Sequence, residues 1–128
     1  MERCLAGVRA LVTGAGGGIG RAVALRLAAG GCRVAAADCR TDRNEQTAAL
    51  IRQDAGEALA LTVDMSRRAD IDRMVAETAA AWGGLDVLVN NAGVGAAGFI
   101  EQVADEDIER TYAVNLVGVL MATRAAAP

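Results

Sequence analysis

The sequence predicts an α/β protein with a doubly wound parallel sheet, and three patterns in its 128 residues support that class. Short apolar runs alternate with segments in which apolar residues recur at helical spacing. The runs are apolar at successive positions, as expected for parallel strands that are covered on both faces. A glycine-rich turn joins the first run to the first helical segment. We expect a single domain, residues 1–128, because the length suits one domain and no linker or repeat interrupts it.

The first half of the chain predicts three strands and two helices. The expected strands are residues 8–12, 33–37 and 58–63. A helix is expected over residues 19–29, with the glycine pair 30–31 as its C-cap. Asp42 with Glu45 three residues later predicts a capping box at the start of the second helix, which ends near Gln53.

The second half predicts one more strand between two helices. Ser66 predicts the N-cap of a helix whose apolar residues follow the spacing of one buried face. These residues are Ile71, Met74, Val75, Thr78, Ala79 and Trp82. A glycine pair, 83–84, ends that helix and the fourth strand follows at 85–89. After a loop to about residue 104, acidic residues 105–107 predict the start of a last helix, straight or kinked, to about residue 126. Right-handed crossovers then give the strand order 3-2-1-4.

The composition excludes several classes of protein. The net charge of −3 offers no basic footprint, so no nucleic-acid partner is expected. The longest membrane-like stretch, 112–122, is too short to span a bilayer and contains Asn115. The cysteines Cys4, Cys32 and Cys39 are odd in number and form no C-x-x-C, which favours reduced thiols in a cytoplasmic protein. The first residues also lack the regions of a signal peptide, and no metal site is predicted.

The segment from Thr13 to Gly20, Thr-Gly-Ala-Gly-Gly-Gly-Ile-Gly, predicts a phosphate cradle. It lies between a strand and a helix, where backbone N–H groups and the helix dipole favour an anion. Glycine allows the pyrophosphate to approach the backbone. The spacing fits T-G-x-x-x-G-x-G, with Gly14, Gly18 and Gly20, and no frame gives G-x-G-x-x-G. No Gly-Lys-Ser/Thr follows, so it is not a nucleotide P-loop; a glycine-rich loop without a ligand is the alternative.

Four motifs in register resemble the short-chain dehydrogenase/reductase family. They are the glycine segment, Asp64, the Asn90-Asn91-Ala92-Gly93 run and Asn115. The Leu-Asp-Val-Leu-Val run before the double asparagine is also similar to the family. The resemblance extends from about residue 8 to residue 128 and implies a Rossmann-like domain with a dinucleotide cofactor. It also implies an NAD(P)-dependent oxidoreductase that transfers hydride between a small-molecule alcohol and a ketone.

The resemblance assigns a role to each motif. The implied cofactor-binding residues are Gly14, Gly17, Gly18, Ile19, Gly20, Asp38, Asp64, Met65, Asn91, Ala92 and Gly93. In the family a residue at the position of Asp64 bonds the adenine amino group, and an Asx turn ahead of Ser66 is an alternative or a companion role. The segment from Asn91 to Gly93 would line a ribose, whereas Asn90 is expected to tie neighbouring strands together. Asn115 would be the catalytic asparagine that holds a water for proton relay, unless its side chain bonds a neighbouring backbone carbonyl.

Asp38 predicts the choice of cofactor. It lies at the end of the second strand, 18 residues after Gly20. A carboxylate there can accept hydrogen bonds from both ribose hydroxyls of the adenosine and repels a 2′-phosphate. Cys39, not a basic residue, follows it, which favours NAD over NADP, although Arg40 and Arg43 are close in sequence. The alternative role for Asp38 is a solvated turn residue or a helix cap.

The proton-transfer residues of the family are missing from these 128 residues. The family uses a Ser and a Tyr-x-x-x-Lys, whereas this sequence has no Lys or His, its only Ser is Ser66, and Tyr112 is followed four residues later by Leu116. We therefore expect a truncated, cofactor-binding half that is inactive alone. Its fourth strand would be an open sheet edge. The last helix would also expose Leu116, Val119 and Leu120. Because this helix contributes to a subunit interface in the family, the resemblance implies a homo-oligomer formed through it.

Two other functions stay open. The chain could be a non-catalytic dinucleotide-binding module that acts through a partner chain. It could also be a remnant without function. The substrate is undefined in every case, because the residues that select it in the family follow the segment that resembles this chain.

Overall fold

The computed structural model describes residues 4–128, so predictions that concern residues 1–3 lie outside the described residues. Strands and helices alternate from residue 9 onward. They are β1 Arg9–Thr13, α1 Gly18–Ala29, β2 Arg33–Asp38, α2 Thr41–Gln53, β3 Ala58–Thr62, α3 Arg68–Trp82, β4 Val87–Val89, α4 Asp105–Tyr112, a π-helical segment Ala113–Gly118 and α5 Val119–Ala126. A 3-10 turn, Ile100–Gln102, precedes α4. Apart from β4, the predicted strands agree with these bounds to within one residue.

The strands form one parallel sheet in the order β3-β2-β1-β4, which confirms the predicted class and order. Residues 9–13 of β1 pair with residues 33–37 of β2 on one side. On the other side Ala10, Leu11 and Val12 pair with β4. The strand order reverses beside β1, because the first two crossovers lead away from it and the third returns to its other side. Open α/β sheets bind ligands at such a reversal, beyond the carboxyl ends of the strands.

Both faces of the sheet are covered, which explains why the strand sequences are apolar at successive positions. Ala10 and Val12 of β1 belong to a buried cluster with Ala24 of α1 and Ile51 of α2. Leu11, between them in sequence, belongs to a second cluster on the opposite face with Ile71 and Met74 of α3. Successive strand residues point to opposite faces, so a single apolar run supplies both clusters.

Two predicted N-caps are wrong. α2 begins at Thr41 with Arg40 at its N-cap, so Asp42 lies inside the first turn, where its carboxylate can still interact with the helix dipole. α3 has Arg67 at its N-cap and no side-chain cap. The Ser66 hydroxyl instead donates to Asp64 Oδ1 at 2.7 Å. The two predicted glycine C-caps are confirmed, with positive φ angles of 102° at residue 31 and 78° at residue 83.

The fourth strand and the last helix differ from the simple prediction. β4 begins two residues late, because Asp86 uses its side chain to accept from the backbone N–H of Arg9 at 2.9 Å and is not part of the strand. The last helical stretch is unbroken from Asp105 to Ala126, but its middle part is π-helical and contains Asn115. Across residues 4–128, no helix is both long and apolar enough to cross a membrane.

Candidate functional site

A cleft of about 480 Å³ lies at the carboxyl ends of the strands, where the strand order reverses. Nine of the predicted site residues line it: Gly14, Gly17, Gly18, Asp38, Asp64, Met65, Asn91, Ala92 and Gly93. Three others do not. The Ile19 side chain is 75% exposed, Gly20 packs against the Gly14 carbonyl, and Asn115 lies behind Val94, which is part of the cleft wall.

The glycine loop leaves the first turn of α1 open to the cleft. Gly14 makes the turn with a φ of +66°, and a Cβ on it would lie 2.7 Å from Asn91 Nδ2. α1 begins at Gly18 with no side-chain cap and no acidic residue in its first turn. The first N–H groups of a helix have no partners within it. Since Gly17 and Gly18 line the cleft, these donors and the positive end of the helix dipole favour an anion there.

Thr13 and Asn91 join the carboxyl ends of β1 and β4. The Thr13 hydroxyl donates to Val89 O at 3.3 Å and accepts from the N–H groups of Asn91 and Ala92 at 3.1 and 3.0 Å. Asn91 Nδ2 donates to the carbonyl oxygens of residues 13 and 14 at 3.1 and 3.3 Å. Asn91 therefore ties the neighbouring strands. The prediction that Asn90 does so is wrong, because the Asn90 amide donates to Thr123 of α5 at 3.1 Å.

Asp38 is held by backbone donors at the mouth of the cleft. Its Oδ2 accepts from Gly16 N at 2.9 Å and its Oδ1 from Arg40 N at 2.8 Å. The turn role considered for Asp38 is therefore present, but a carboxylate has about four lone-pair sites and two of them remain. A Cβ on Gly16 would lie 2.8 Å from the Asp38 carboxyl carbon. Gly16 is thus a site residue that the sequence prediction missed, although it lies within the predicted glycine segment.

Asp64 forms the Asx turn that was considered for it. Its Oδ1 accepts from Ser66 N at 2.9 Å and from Ser66 Oγ at 2.7 Å. These bonds hold the pKa of Asp64 below its ordinary value; desolvation opposes the shift, and the positive charges of Arg110 and Arg67 support it. Asp64 is therefore a hydrogen-bond acceptor, beside the buried Met65. Within residues 4–128, no group of three His, Cys, Asp or Glu side chains is arranged to hold a metal ion.

Asn115 binds the loop that follows β4. Its Oδ1 accepts from Val94 N at 2.8 Å and its Nδ2 donates to Val94 O at 2.7 Å. The predicted alternative, a bond to a backbone carbonyl, is therefore observed, and that carbonyl belongs to the loop. The surrounding backbone is π-helical, and such turns are frequent at functional sites. Asn115 thus holds the backbone of Val94, which lines the cleft.

Arg21 supports the glycine loop and was missed by the sequence prediction. Its Nη2 donates to Gly16 O at 2.8 Å and to Arg43 O at 2.9 Å, and its Nε donates to Thr47 Oγ1 at 2.9 Å. It therefore joins the loop to α1 and α2. Two of these partners are more than 20 residues away, so no local pattern could indicate them. Arg110 also lines the cleft, from α4, and no motif marked it.

The sheet order and the glycine turn define a Rossmann-like α/β domain. A family model described as short chain dehydrogenase matches residues 9–128. The chain therefore belongs to the short-chain dehydrogenase family of oxidoreductases.

Individual relatives agree with this membership. The chain is 40% identical to sorbitol dehydrogenase of Cereibacter sphaeroides over 123 residues, which are 96% of this chain and 47% of that protein. It is 42% identical to glucose 1-dehydrogenase of Gluconobacter oxydans, over 93% of this chain and 45% of that protein. The chain thus spans about half the length of the curated relatives it matches.

Solved structures of the family have the same fold. A short chain dehydrogenase from Burkholderia cenocepacia in complex with NADP matches with a TM-score of 0.92 at 41% identity, over 96% of this chain and 51% of that one. A short chain dehydrogenase/reductase from Burkholderia phymatum in complex with NAD matches with a TM-score of 0.93 at 33% identity, over 97% of this chain and 44% of that one. Both dinucleotides therefore occur among the structural relatives.

Proposed function

We propose that this chain binds NAD in its cleft and supplies the cofactor-binding part of an oxidoreductase that interconverts an alcohol and a ketone. The observation that carries the proposal is the meeting, in one cleft, of an uncapped helix N-terminus and the two carboxylates Asp38 and Asp64. A dinucleotide needs donors for its pyrophosphate and acceptors for its ribose and adenine groups. NAD supplies a hydride acceptor at its nicotinamide when bound.

The preference for NAD over NADP rests on Asp38. Its two unused lone-pair sites can accept from ribose hydroxyls, and its negative charge repels a 2′-phosphate. Arg40 and Arg43 also line the cleft and carry the opposite charge. Neither arginine side chain forms an ion pair with another described residue. For NAD to be preferred, the repulsion of a 2′-phosphate by Asp38 must therefore exceed its attraction to these two arginines.

The alcohol substrate class is supported by the names of the relatives, which include sorbitol, glucose and butanediol dehydrogenases. Asn115 is assigned a role in proton relay, because one N–H and one lone pair of its amide remain after its two bonds to Val94. By itself, this chain would bind the cofactor but would not catalyse alcohol oxidation. It has no Lys or His, and Tyr112 lies 59% exposed on α4.

An interface between copies of the chain is part of the proposal. Ile108, Tyr112, Leu116 and Leu120 recur every four residues and are all exposed. A row of large apolar side chains exposed in this way marks a protein–protein contact. A cytoplasmic location is also proposed, since Cys4, Cys32 and Cys39 are all free thiols.

The test is a titration of NADH against the purified chain, followed by cofactor fluorescence, with Asp38→Asn compared with Asp42→Asn. Both changes remove one negative charge near the start of α2, but only Asp38 lines the cleft. We expect Asp38→Asn to raise the Kd for NADH at least about tenfold, because hydrogen bonds to a charged group are lost. The same variant should also bind NADPH more tightly relative to NADH than the unmodified chain does, because the charge that repels the 2′-phosphate is removed.

The control variant should bind NADH like the unmodified chain. A chain that is folded by circular dichroism and shows no saturable binding would refute the proposal and leave the remnant hypothesis. Saturable binding without alcohol oxidation is expected. Turnover by the repurified chain that survives Asn115→Ala would show that the chemistry lies elsewhere.

A further inference from the structure

Arg110 is the only basic side chain that α4 places on the cleft, within the part of the chain that the structure describes. It lies one helical turn before Val114, which also lines the cleft, so both belong to the helix face that faces the strand ends. The exposed apolar residues Ile108 and Tyr112 lie two positions to either side of Arg110 and therefore on the other side of the helix. This helical wall of the cleft thus combines the guanidinium of Arg110, from α4, with the apolar side chain of Val114, from the π-helical segment.

Structural roles do not account for this arginine. Its carboxylate neighbours on the helix, Glu106 and Asp107, lie at the spacing of ion pairs, yet none of the ion pairs among the described residues includes Arg110. A cation can also stabilise the C-terminus of a helix. That role is excluded, because the backbone at Ala113 remains helical and continues to Ala126.

The packing of Val114 indicates where Arg110 lies along the cleft. Val114, one helical turn after Arg110, belongs to the same buried cluster as Met65 and Val63. The positive charge of Arg110 is among the causes that hold the pKa of Asp64 below its ordinary value, after the bonds from Ser66. Arg110 is therefore near the end of the cleft formed by Asp64 and Met65. The glycine loop and the open end of α1, which suit the pyrophosphate, form another part of the lining.

The chemistry of this end favours a flat aromatic ring. Asp64 offers an acceptor for an amino group, and Met65 and Val114 offer apolar contacts. A guanidinium is planar and stacks on aromatic faces. We propose that Arg110 binds the cofactor by laying its guanidinium against the adenine ring, which makes it a further binding residue. This inference rests on the proposed function, since it assumes that the adenosine lies in this cleft.

The test separates the two halves of the dinucleotide. The Kd values of ADP-ribose and of reduced nicotinamide mononucleotide are measured by isothermal calorimetry for the unmodified chain, Arg110→Gln, Arg110→Lys and Arg67→Gln. Arg67 is the matched control. Its charge also acts on Asp64, but its side chain does not line the cleft. Circular dichroism verifies the fold of every variant.

We expect Arg110→Gln to weaken ADP-ribose binding about tenfold, the loss expected for a stacked guanidinium. Arg110→Lys should lose most of the same affinity, because an ammonium keeps the charge but has no plane to stack. Arg67→Gln should bind ADP-ribose like the unmodified chain. The Kd of reduced nicotinamide mononucleotide should be the same for every variant.

Three results would overturn the inference. They are full binding of ADP-ribose by Arg110→Gln, an equal loss in Arg67→Gln, and full rescue by Arg110→Lys, which would indicate a charge interaction in place of stacking. Failure of the folded, unmodified chain to bind ADP-ribose would instead refute the proposed function itself.

Discussion

The two ends of the β1–β4 strand pair are joined by different chemistry. At the amino end, Arg9 and Asp86 form a charged pair: Arg9 Nε and Nη2 each donate to Asp86 at 2.8 Å, and the Arg9 backbone N–H adds a third bond. At the carboxyl end, the joint is made by the neutral side chains of Thr13 and Asn91. The charged joint lies away from the cleft, and the neutral joint forms part of its wall.

This difference follows from what each end must do. The glycine loop already has the carboxylate of Asp38 bonded to Gly16 N, and a carboxylate at the β1–β4 joint would add a second negative charge that repels an anionic ligand at the N-terminus of α1. Neutral hydrogen bonds fix the same backbone without changing the potential in the cleft. The amino end has no such restriction, so an ion pair can serve there. Three predictions test the comparison, in decreasing order of expected effect.

The largest effect is expected from Gly14→Ala. The added Cβ would occupy a residue with positive φ and lie 2.9 Å from the Ala92 backbone. We expect a loss of about 3 kcal/mol in the free energy of unfolding. Gly17→Ala is the control, because its Cβ would meet nothing within 4 Å and its backbone is extended. Urea denaturation of both variants measures the difference, and equal stability would show that the carboxyl-end joint tolerates displacement.

A smaller effect is expected from Thr13→Val. The substitution keeps the shape of the side chain but removes the acceptor for the N–H groups of Asn91 and Ala92. We expect a loss of about 1–3 kcal/mol that is the same at pH 4 and pH 7, since neither partner titrates in that range. Thr13→Ser retains the hydroxyl and should recover most of the stability. A strongly pH-dependent loss would contradict a neutral joint.

The smallest effect is expected from Asp86→Asn, and it should depend on pH. The hydrogen bonds from Arg9 hold the pKa of Asp86 well below its ordinary value. Because the folded pKa is the lower one, the carboxylate stabilises the folded chain above the unfolded pKa, and that contribution is lost as the pH falls below about 4. The difference in urea midpoint between the variant and the unmodified chain should therefore be present at pH 7 and shrink toward pH 2.

Asp72→Asn is the control for this series. Asp72 pairs with Arg68 within α3, where both side chains are more than half exposed. An exposed pair of this kind contributes little. If both variants lost the same stability at every pH, the amino-end joint would be an ordinary surface pair.

Much of the fold could be predicted because its signals are local. The periodicity of apolar residues determines strands and helices, and the glycine pairs mark where α1 and α3 end. The N-cap predicted at Ser66 is wrong, because the Ser66 hydroxyl donates to Asp64 Oδ1 within an Asx turn. The contact between Asp38 and Gly16 joins residues 22 positions apart and exists only once β1 and β2 pair. The bonds of Arg21 and the placement of Arg110 depend on tertiary structure in the same way.

The π-helical segment has a consequence for the outer surface of the molecule. Ile108, Tyr112, Leu116 and Leu120 repeat every fourth residue, whereas an α-helix turns once in about 3.6 residues. In a purely α-helical backbone, side chains at this interval would wind progressively around the axis. A π turn contains more residues than an α turn, so the segment from Ala113 to Gly118 offsets that winding. The same irregularity that surrounds Asn115 thus reduces the winding of these four exposed side chains around the helix axis.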